Sequence, residues 1–417
     1  MVKKRMGFVT GAIVFIMGLL ITRLAFVQLI DGEKYKNISN AQHTIALEGA
    51  NQRGEIYDTN RVPFTGTVKE YVYIIEKEKL DKRVQQIFQL LEGRKVAAKN
   101  SRYAVFSTSI FSEEASFVLK RDYDAFALES RRRYNPDQAA VHLIGYINEV
   151  DGRGAAGIER DFNEALSKMT QKLYGKVDAT GKIIQGEGVF KEENNAKSGV
   201  ITTLDMDIQK KAAEVLKNSG HNGALMVTDV SNGHILASAS YPVYNPYHIE
   251  KYLESPNMEF INKVTQGQYP PGSIFKIVVA AAAMEENIVN LDTKFVCKGY
   301  ETIHGIRINC SKEEGHGELD FRHAFAKSCN SAFIQLGKQI GGEKIIRMAE
   351  KFGYGKKVLT GISDEKTGIL SKFSDVQGAG IGNLSIGQGT LTVTPLQVGR
   401  ATMIIANGGV DKGLRLV

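Results

Sequence analysis

The N-terminus constrains this chain most. Residues 6–30 are predominantly apolar, carry Arg23 as their single charge, and follow Lys3, Lys4 and Arg5. As a helix, residues 7–30 would reach about 36 Å at roughly 1.5 Å per residue, enough to cross a bilayer with some tilt. Arg23 would then sit toward the outer end, where a long cation can reach the headgroups. No small-x-small cleavage site follows the run, so an uncleaved anchor is expected rather than a removed leader. The positive flank places the N-terminus in the cytoplasm and everything beyond about Asp31 outside. Gly7 and Gly11 have the spacing of a helix-packing face.

With 417 residues, the remainder is too long for one ordinary core, and two or more extramembrane domains are expected. The net charge of +7 suits a neighbour of anionic lipid or polymer, and equally a plain soluble surface. Basic residues do not alternate with aromatics along any stripe, which argues against a nucleic-acid partner. Arg131-Arg132-Arg133 is the densest charge run and reads as a solvated face. Three cysteines, Cys297, Cys310 and Cys329, fall in the external part. Cys297 and Cys310 could close a disulfide in an oxidising compartment, or hold a metal with His316, or stay as thiols; the spacing matches no standard zinc pattern.

Residues 31–198 read as a mixed α/β pedestal without a catalytic constellation. Glu70-Tyr71-Val72-Tyr73-Ile74-Ile75 has strand character, residues 79–91 are helical, and Asp58-Thr59-Asn60 is a turn. His142 stands alone and reads as a structural residue. From residue 199 the texture changes. A strand at 200–204 leads to a helix capped by Asp205, and two strand-like runs flank Ser231-Asn232-Gly233, a strong hairpin signal. Residues 199–417 therefore read as an α+β domain, an antiparallel sheet with helices.

Within it, Tyr269-Pro270-Pro271-Gly272 halts the chain just before Ser273, Lys276 and an apolar run at 277–284. Ser273 should open a buried helix, with the Lys276 amine one turn on and facing its hydroxyl. A lysine in a dry cleft gives up its proton more readily and can act as a base. The helix N-terminus offers N–H groups to an oxyanion. Further on, Ser328-Cys329-Asn330 lies between two helical stretches, where Ser and Asn are also ordinary turn residues.

S-x-x-K followed by S-x-N resembles the serine acyl-transferase set of penicillin-binding proteins and β-lactamases. The likeness extends along the chain. Arg53-Gly54-Glu55-Ile56-Tyr57-Asp58 resembles the opening motif of class B penicillin-binding proteins, though Thr59-Asn60-Arg61 stands where R-N-G is usual. Gly157-Ile158-Glu159 resembles a second of their elements. Thr203-Leu204-Asp205 with Gln209, Ala237-Ser238-Ala239-Ser240-Tyr241-Pro242, and Gly387-Gln388-Gly389 through Thr394-Pro395-Leu396-Gln397 resemble segments of their transpeptidase domain.

The resemblance implies a transmembrane anchor at residues 1–30, a dimerisation-like pedestal at 31–198 and a transpeptidase domain at 199–417, on the outer side of a bacterial cell membrane. It implies a D,D-transpeptidase that cross-links peptidoglycan stem peptides and is acylated by β-lactam antibiotics, with a membrane glycosyltransferase of wall synthesis as partner. Ser273 would be the nucleophile and Lys276 its base. Ser328 would relay a proton to the leaving amine, and Asn330 would hold the substrate amide. Neither a metal nor an organic cofactor is called for.

The family's third motif, K-[ST]-G on a cleft strand after the A-N-G-G segment, is expected beyond Val417, making the domain C-terminally incomplete. Lys366-Thr367-Gly368 has the right letters, but it comes before the G-Q-G segment and reads as a decoy. Two rival functions share these features: a serine β-lactamase or β-lactam sensor, and a non-catalytic membrane scaffold of the wall-synthesis machinery.

Overall fold

The computed structural model describes residues 2–31, 44–47, 53–96, 102–148, 151–168, 171–184, 186, 188–193 and 199–417. The first helix, Val2–Leu29, runs unbroken through the apolar segment, and from Ile13 to Ile21 its large apolar side chains are exposed. The side chains of residues 2–10 and Ala12, the basic cluster Lys3, Lys4 and Arg5 included, lie outside the described set. No helix among the described residues is long and apolar enough to cross a membrane.

Beyond that helix the chain folds into two compact units, and neither is a continuous stretch. The first takes residues 69–131 and 169–196 together with the N-terminal segment. Its centre is a four-stranded sheet in the order Arg94–Val96, Tyr103–Thr108, Val68–Glu76, Phe126–Arg132. The run around Tyr73 is apolar at every position because both faces of this strand are covered. Tyr73 and Ile75 pack with Val84, Phe88 and Leu119 from the helices Lys82–Leu90 and Glu113–Tyr123. On the other face, Val72 and Ile74 meet Leu47, Leu173 and Ile183. The helix Lys82–Leu90 starts where Asp81 accepts the N–H of Val84 at 2.8 Å, an N-cap that satisfies an otherwise unpaired donor.

The second unit holds residues 54–68, 132–168 and 197–417. Parts of the segment read as pedestal thus fold with Ser273, Lys276, Ser328 and Asn330. Strand Glu55–Tyr57 pairs in parallel with Gly199–Ile201, and Ile56, Leu143, Ile158 and Leu166 share a core with Val200, Leu204, Ile235 and Leu396. The arginine run needs correction here. Arg131 is exposed, but Arg132 lies 4.1 Å over the Tyr247 ring. Arg133 turns inward, donating from Nε to Glu159 at 2.6 Å and from Nη1 to the Gly54 carbonyl at 2.9 Å. A run of like charges looks solvated in sequence because its acidic partners come from elsewhere in the chain.

Helix Met206–Asn218 lies on the antiparallel hairpin Gly223–Thr228 and Ile235–Tyr241, burying Ala212 and Leu216 against Ala237 and Ala239. The remainder is mostly helical. Helix Lys276–Glu285 is apolar almost all round because Asn330–Ile340 and Gly342–Lys351 pack against it. Two short antiparallel pairs, Lys294–Cys297 with Gly317–Asp320 and Tyr300–Ile303 with Ile306–Asn309, stand beside that layer.

His142 is buried, with Nε2 2.7 Å from the Glu259 carbonyl. Burial pulls its pKa from 6.5 to about 4, assisted by the charge of Lys263 and opposed by the carbonyls of Glu259 and Pro242. The folded state therefore prefers the neutral ring. Its stabilisation is complete above pH 6.5 and is lost as pH falls toward about 4. The loss amounts to something on the order of 3 kcal/mol. Melting temperatures across that window should fall less steeply in His142→Gln than in the parent. Parallel slopes would mean that the ring does not titrate with unfolding.

Candidate active site

The turn carrying Ser273 is held from outside its own segment. Tyr269 and Val393 exchange both backbone hydrogen bonds at 2.9 Å, and Gly272 N–H donates to the Gly387 carbonyl at 2.8 Å. Gly387 has φ +68°, and a Cβ there would lie 2.1 Å from the Gly272 carbonyl oxygen. Glycine is thus required for this close approach. From Gly272 to Phe275 the chain is a 3₁₀ turn, which passes into the α-helix Lys276–Glu285. A 3₁₀ turn has about three residues per revolution, so Ser273 and Lys276 eclipse each other. Lys276 Nζ lies 3.2 Å from Ser273 Oγ. The serine is exposed, whereas the lysine is only 3% exposed.

Ser328 and Asn330 complete the group. Ser328 sits between the helices Phe321–Ala326 and Asn330–Ile340 with φ +50°, a left-handed conformation that strains a residue bearing a Cβ by about 1 kcal/mol or more. In that conformation its carbonyl and hydroxyl oxygens both face Lys276 Nζ, at 2.7 and 2.9 Å. Asn330 Oδ1 accepts from the same amine at 2.7 Å, while its Nδ2 donates to the Asn309 carbonyl at 3.2 Å. The four residues singled out in the sequence are brought together around one nitrogen. Asn330, expected to hold substrate, has its amide oxygen on the lysine.

The proton inventory follows from these partners. The Ser328 carbonyl and the Asn330 amide oxygen can only accept, so they take two N–H bonds whatever the charge on Lys276. The third position faces two hydroxyls. In the neutral amine that position is a lone pair, aimed where a serine proton must go. Burial lowers the Lys276 pKa, partly offset by Cys310 and Cys329 nearby. Burial thus favours the neutral amine, and a hydroxyl 3.2 Å from it is within reach of general-base activation.

Lys366-Thr367-Gly368 lies in an irregular stretch preceding the isolated bridge between Ile369 and Thr392. The Thr367 carbonyl accepts from Gln397 at 2.7 Å, and Lys366 N–H donates to the Thr265 carbonyl. These letters form an irregular segment held to the helix Pro395–Ala406 through Gln397, and they are not on a strand.

Residues 223–417 match the penicillin binding protein transpeptidase domain, and residues 49–199 match the penicillin-binding protein dimerisation domain. The chain belongs to the class B penicillin-binding proteins. It is similar to stage V sporulation protein D of Bacillus subtilis (strain 168), 28% identical over 98% of this chain and 66% of that protein. It is similar as well to the peptidoglycan D,D-transpeptidase MrdA of Escherichia coli (strain K12), 28% identical over 96% of this chain and 71% of that one. The chain thus spans about two thirds of the first of these relatives. In fold it is similar to penicillin-binding protein PBP2 from Helicobacter pylori, with a TM-score of 0.69 at 22% identity, covering 90% of this chain and 79% of that one. A structure of PBP2 in complex with MreC from the same organism gives a TM-score of 0.67 at 21% identity, covering 90% of this chain and 78% of that one.

In this penicillin-binding protein the second motif has a neighbour that sequence spacing did not reveal. The three cysteines are free thiols, and all three are buried. Cys297, Cys310, His316 and Cys329 bring their ligand atoms within 4.8 Å of one another. His316 Nδ1 is 3.5 Å from Cys297 Sγ and 3.6 Å from Cys310 Sγ. Burial raises the Cys310 thiol, but N–H groups of Ser331, Lys312 and Asn330 outweigh it and hold the pKa at about 6. Burial pushes Cys329 up to about 12. Three thiols and an imidazole are the donor set of a structural zinc, and these four residues fit such an ion. Cys297 ends the strand Lys294–Cys297, Cys310 follows the strand Ile306–Asn309, and His316 lies in the loop before Gly317–Asp320. Cys329 had seemed the spacer of S-x-N, so its position inside a catalytic motif concealed the fourth ligand.

Proposed function

We propose that this protein is a peptidoglycan D,D-transpeptidase working through a Ser273 acyl-enzyme. The single observation that carries the reading is the Lys276 amine, buried and shared among Ser273, Ser328 and Asn330. Lys276 takes the Ser273 proton as Oγ attacks the carbonyl of a terminal D-Ala–D-Ala pair. Ser328 Oγ, on the same amine, passes a proton to the departing D-alanine nitrogen. An amine of a neighbouring stem peptide then attacks the ester, closes the cross-link and returns Ser273. A β-lactam acylates the same oxygen because its ring amide occupies the place of the scissile bond. Asn330 holds the lysine and turns its face toward the substrate amide.

The apolar run at residues 6–30, behind Lys3, Lys4 and Arg5, supports an anchor in a bacterial membrane, with both units on the outer side. A relative solved with MreC supports a place in a wall-synthesis assembly, where a membrane glycosyltransferase would supply the strands to be joined.

One experiment tests the chemistry and the orientation together. Intact spheroplasts are treated with a charged, membrane-impermeant penicillin, and the protein is then digested and mapped. The adduct is expected on the peptide containing Ser273. An adduct on another residue would remove Ser273 from the mechanism, and labelling that appears only after lysis would reverse the orientation.

A further inference from the structure

On the mechanism proposed above, Lys276 gains a charge among neutral oxygen atoms. Its amine has four oxygen partners: Ser273 Oγ at 3.2 Å, the Ser328 carbonyl at 2.7 Å, Ser328 Oγ at 2.9 Å and Asn330 Oδ1 at 2.7 Å. Among the described residues no carboxylate lies within 4.0 Å of it. The sulfurs of Cys310 and Cys329 act on its charge from nearby but accept no hydrogen bond from it. With the lysine only 3% exposed, water does little to carry the charge. Burial favours the neutral amine and so opposes the proton transfer that the amine is placed to accept.

One further group faces the amine. The Nζ atom stands over the ring of Phe333, 5.6 Å from its centroid. A benzene ring has a negative face and attracts a cation within about 6 Å, more strongly where water is excluded. Phe333 is fully buried, and the tilted rings of Phe321 and Phe325 flank it at 6.3 and 6.2 Å. Its place follows from helix spacing. Asn330 and Phe333 are three positions apart in Asn330–Ile340, so the face that brings the amide oxygen to the amine brings the ring there too. Any apolar side chain of that size would meet the needs of packing; a ring adds a face that attracts positive charge.

We propose that Phe333 is a positioning residue for acylation, its ring face stabilising the charge that Lys276 gains on taking the Ser273 proton; this rests on Lys276 being the base. In that step the Ser273 O–H bond breaks and the proton goes to the Nζ lone pair. The oxygen closes a bond to the acyl carbon, the lactam C–N bond opens, and the nitrogen takes its proton through Ser328. The ring acts only through the amine. A neutral amine gains little from it and an ammonium gains much, so the contact strengthens as the proton arrives.

The test replaces Phe333 in the full chain, held in detergent, by mono-, di- and trifluorinated phenylalanine. Each added fluorine draws charge from the ring face while the side chain keeps nearly its shape. Stopped-flow labelling over a range of fluorescent penicillin concentrations separates the affinity of the first, non-covalent complex from the rate of acylation. That rate is expected to fall stepwise with each fluorine, by roughly 2- to 10-fold over the series, with affinity unchanged. Phe333→Leu should slow acylation roughly 2- to 30-fold; if circular dichroism shows it unfolded, the fluorinated series decides. A ring that only packs, or only keeps water from the amine, would do so with or without fluorine. One acylation rate across the series would therefore overturn the proposal, as would a loss confined to affinity. Lys276→Ala, run alongside, separates this proposal from the reading beneath it. If it acylates like the parent, the base is misassigned and both fall; if it is slow while the fluorinated series is flat, only the role of Phe333 falls.

Discussion

Lys276→Ala lowers the rate of acylation by a fluorescent penicillin by roughly 10²–10⁴-fold, the usual contribution of a positioned general base. The substitution removes the amine that lies 3.2 Å from the Ser273 hydroxyl, and it leaves the Asn330 amide oxygen without the donor it has now. Lys276→Arg should fare no better, since a guanidinium keeps its proton at any working pH. In the parent the rate should climb as pH rises, because the lysine works only when neutral. The midpoint of that climb should lie below the ordinary lysine value of 10.5, since burial lowers the pKa. Stopped-flow labelling across a pH series measures both effects, with circular dichroism to confirm folding. A rate within a few-fold of the parent, or an active Arg variant, would remove Lys276 as the base.

The parts of this site legible in the sequence were the local ones. Ser273 and Lys276 lie three positions apart on one turn, so spacing alone puts them face to face. Ser328 and Asn330 could be paired with them only through resemblance, because the contact spans 52 to 54 positions. What Asn330 touches was not legible: whether an amide oxygen faces a substrate or a lysine depends on packing in three dimensions. The same limit hid Cys329, and it made Arg133 look solvated while its partners Glu55 and Glu159 lay far along the chain. Strand and helix identities near Tyr73 and Lys82 were readable because hydrophobic period and capping residues act within a few positions.

Arg133→Ala should destabilise the second unit by about 3–5 kcal/mol, the range for breaking a buried ion pair by removing one partner. The Glu159 side chain is fully buried, and the carboxylate it shares with Arg133 also accepts from the Tyr134 hydroxyl at 3.1 Å. Deleting the guanidinium leaves that carboxylate charged in a site water does not reach, with a neutral phenol as poor compensation. The double variant Arg133→Ala with Glu159→Gln should therefore be more stable than Arg133→Ala alone. Lys69→Ala, which breaks the exposed pair with Glu129, provides the contrast and should change stability by no more than about 1 kcal/mol. Denaturant unfolding of all three checks the ordering. Equal effects at Arg133 and Lys69 would show that the buried pair is not holding residues 132–168 in place.

The bonds from Tyr269 to Val393 and from Gly272 to Gly387 have a consequence for how the enzyme comes into being. A ribosome delivers Ser273 more than a hundred residues before Gly387 and Val393, which hold its turn. Through that interval Ser273 is an ordinary serine on an unfinished helix, and the apolar helix behind it lacks part of its cover. Loop closure over such a span is slow compared with local helix formation. On the function proposed above, reactivity toward acyl groups would therefore appear only as the segment around residues 387–393 docks. A transpeptidase of the kind proposed would gain from that order of events, because Ser273 could not be spent before the cleft around it exists.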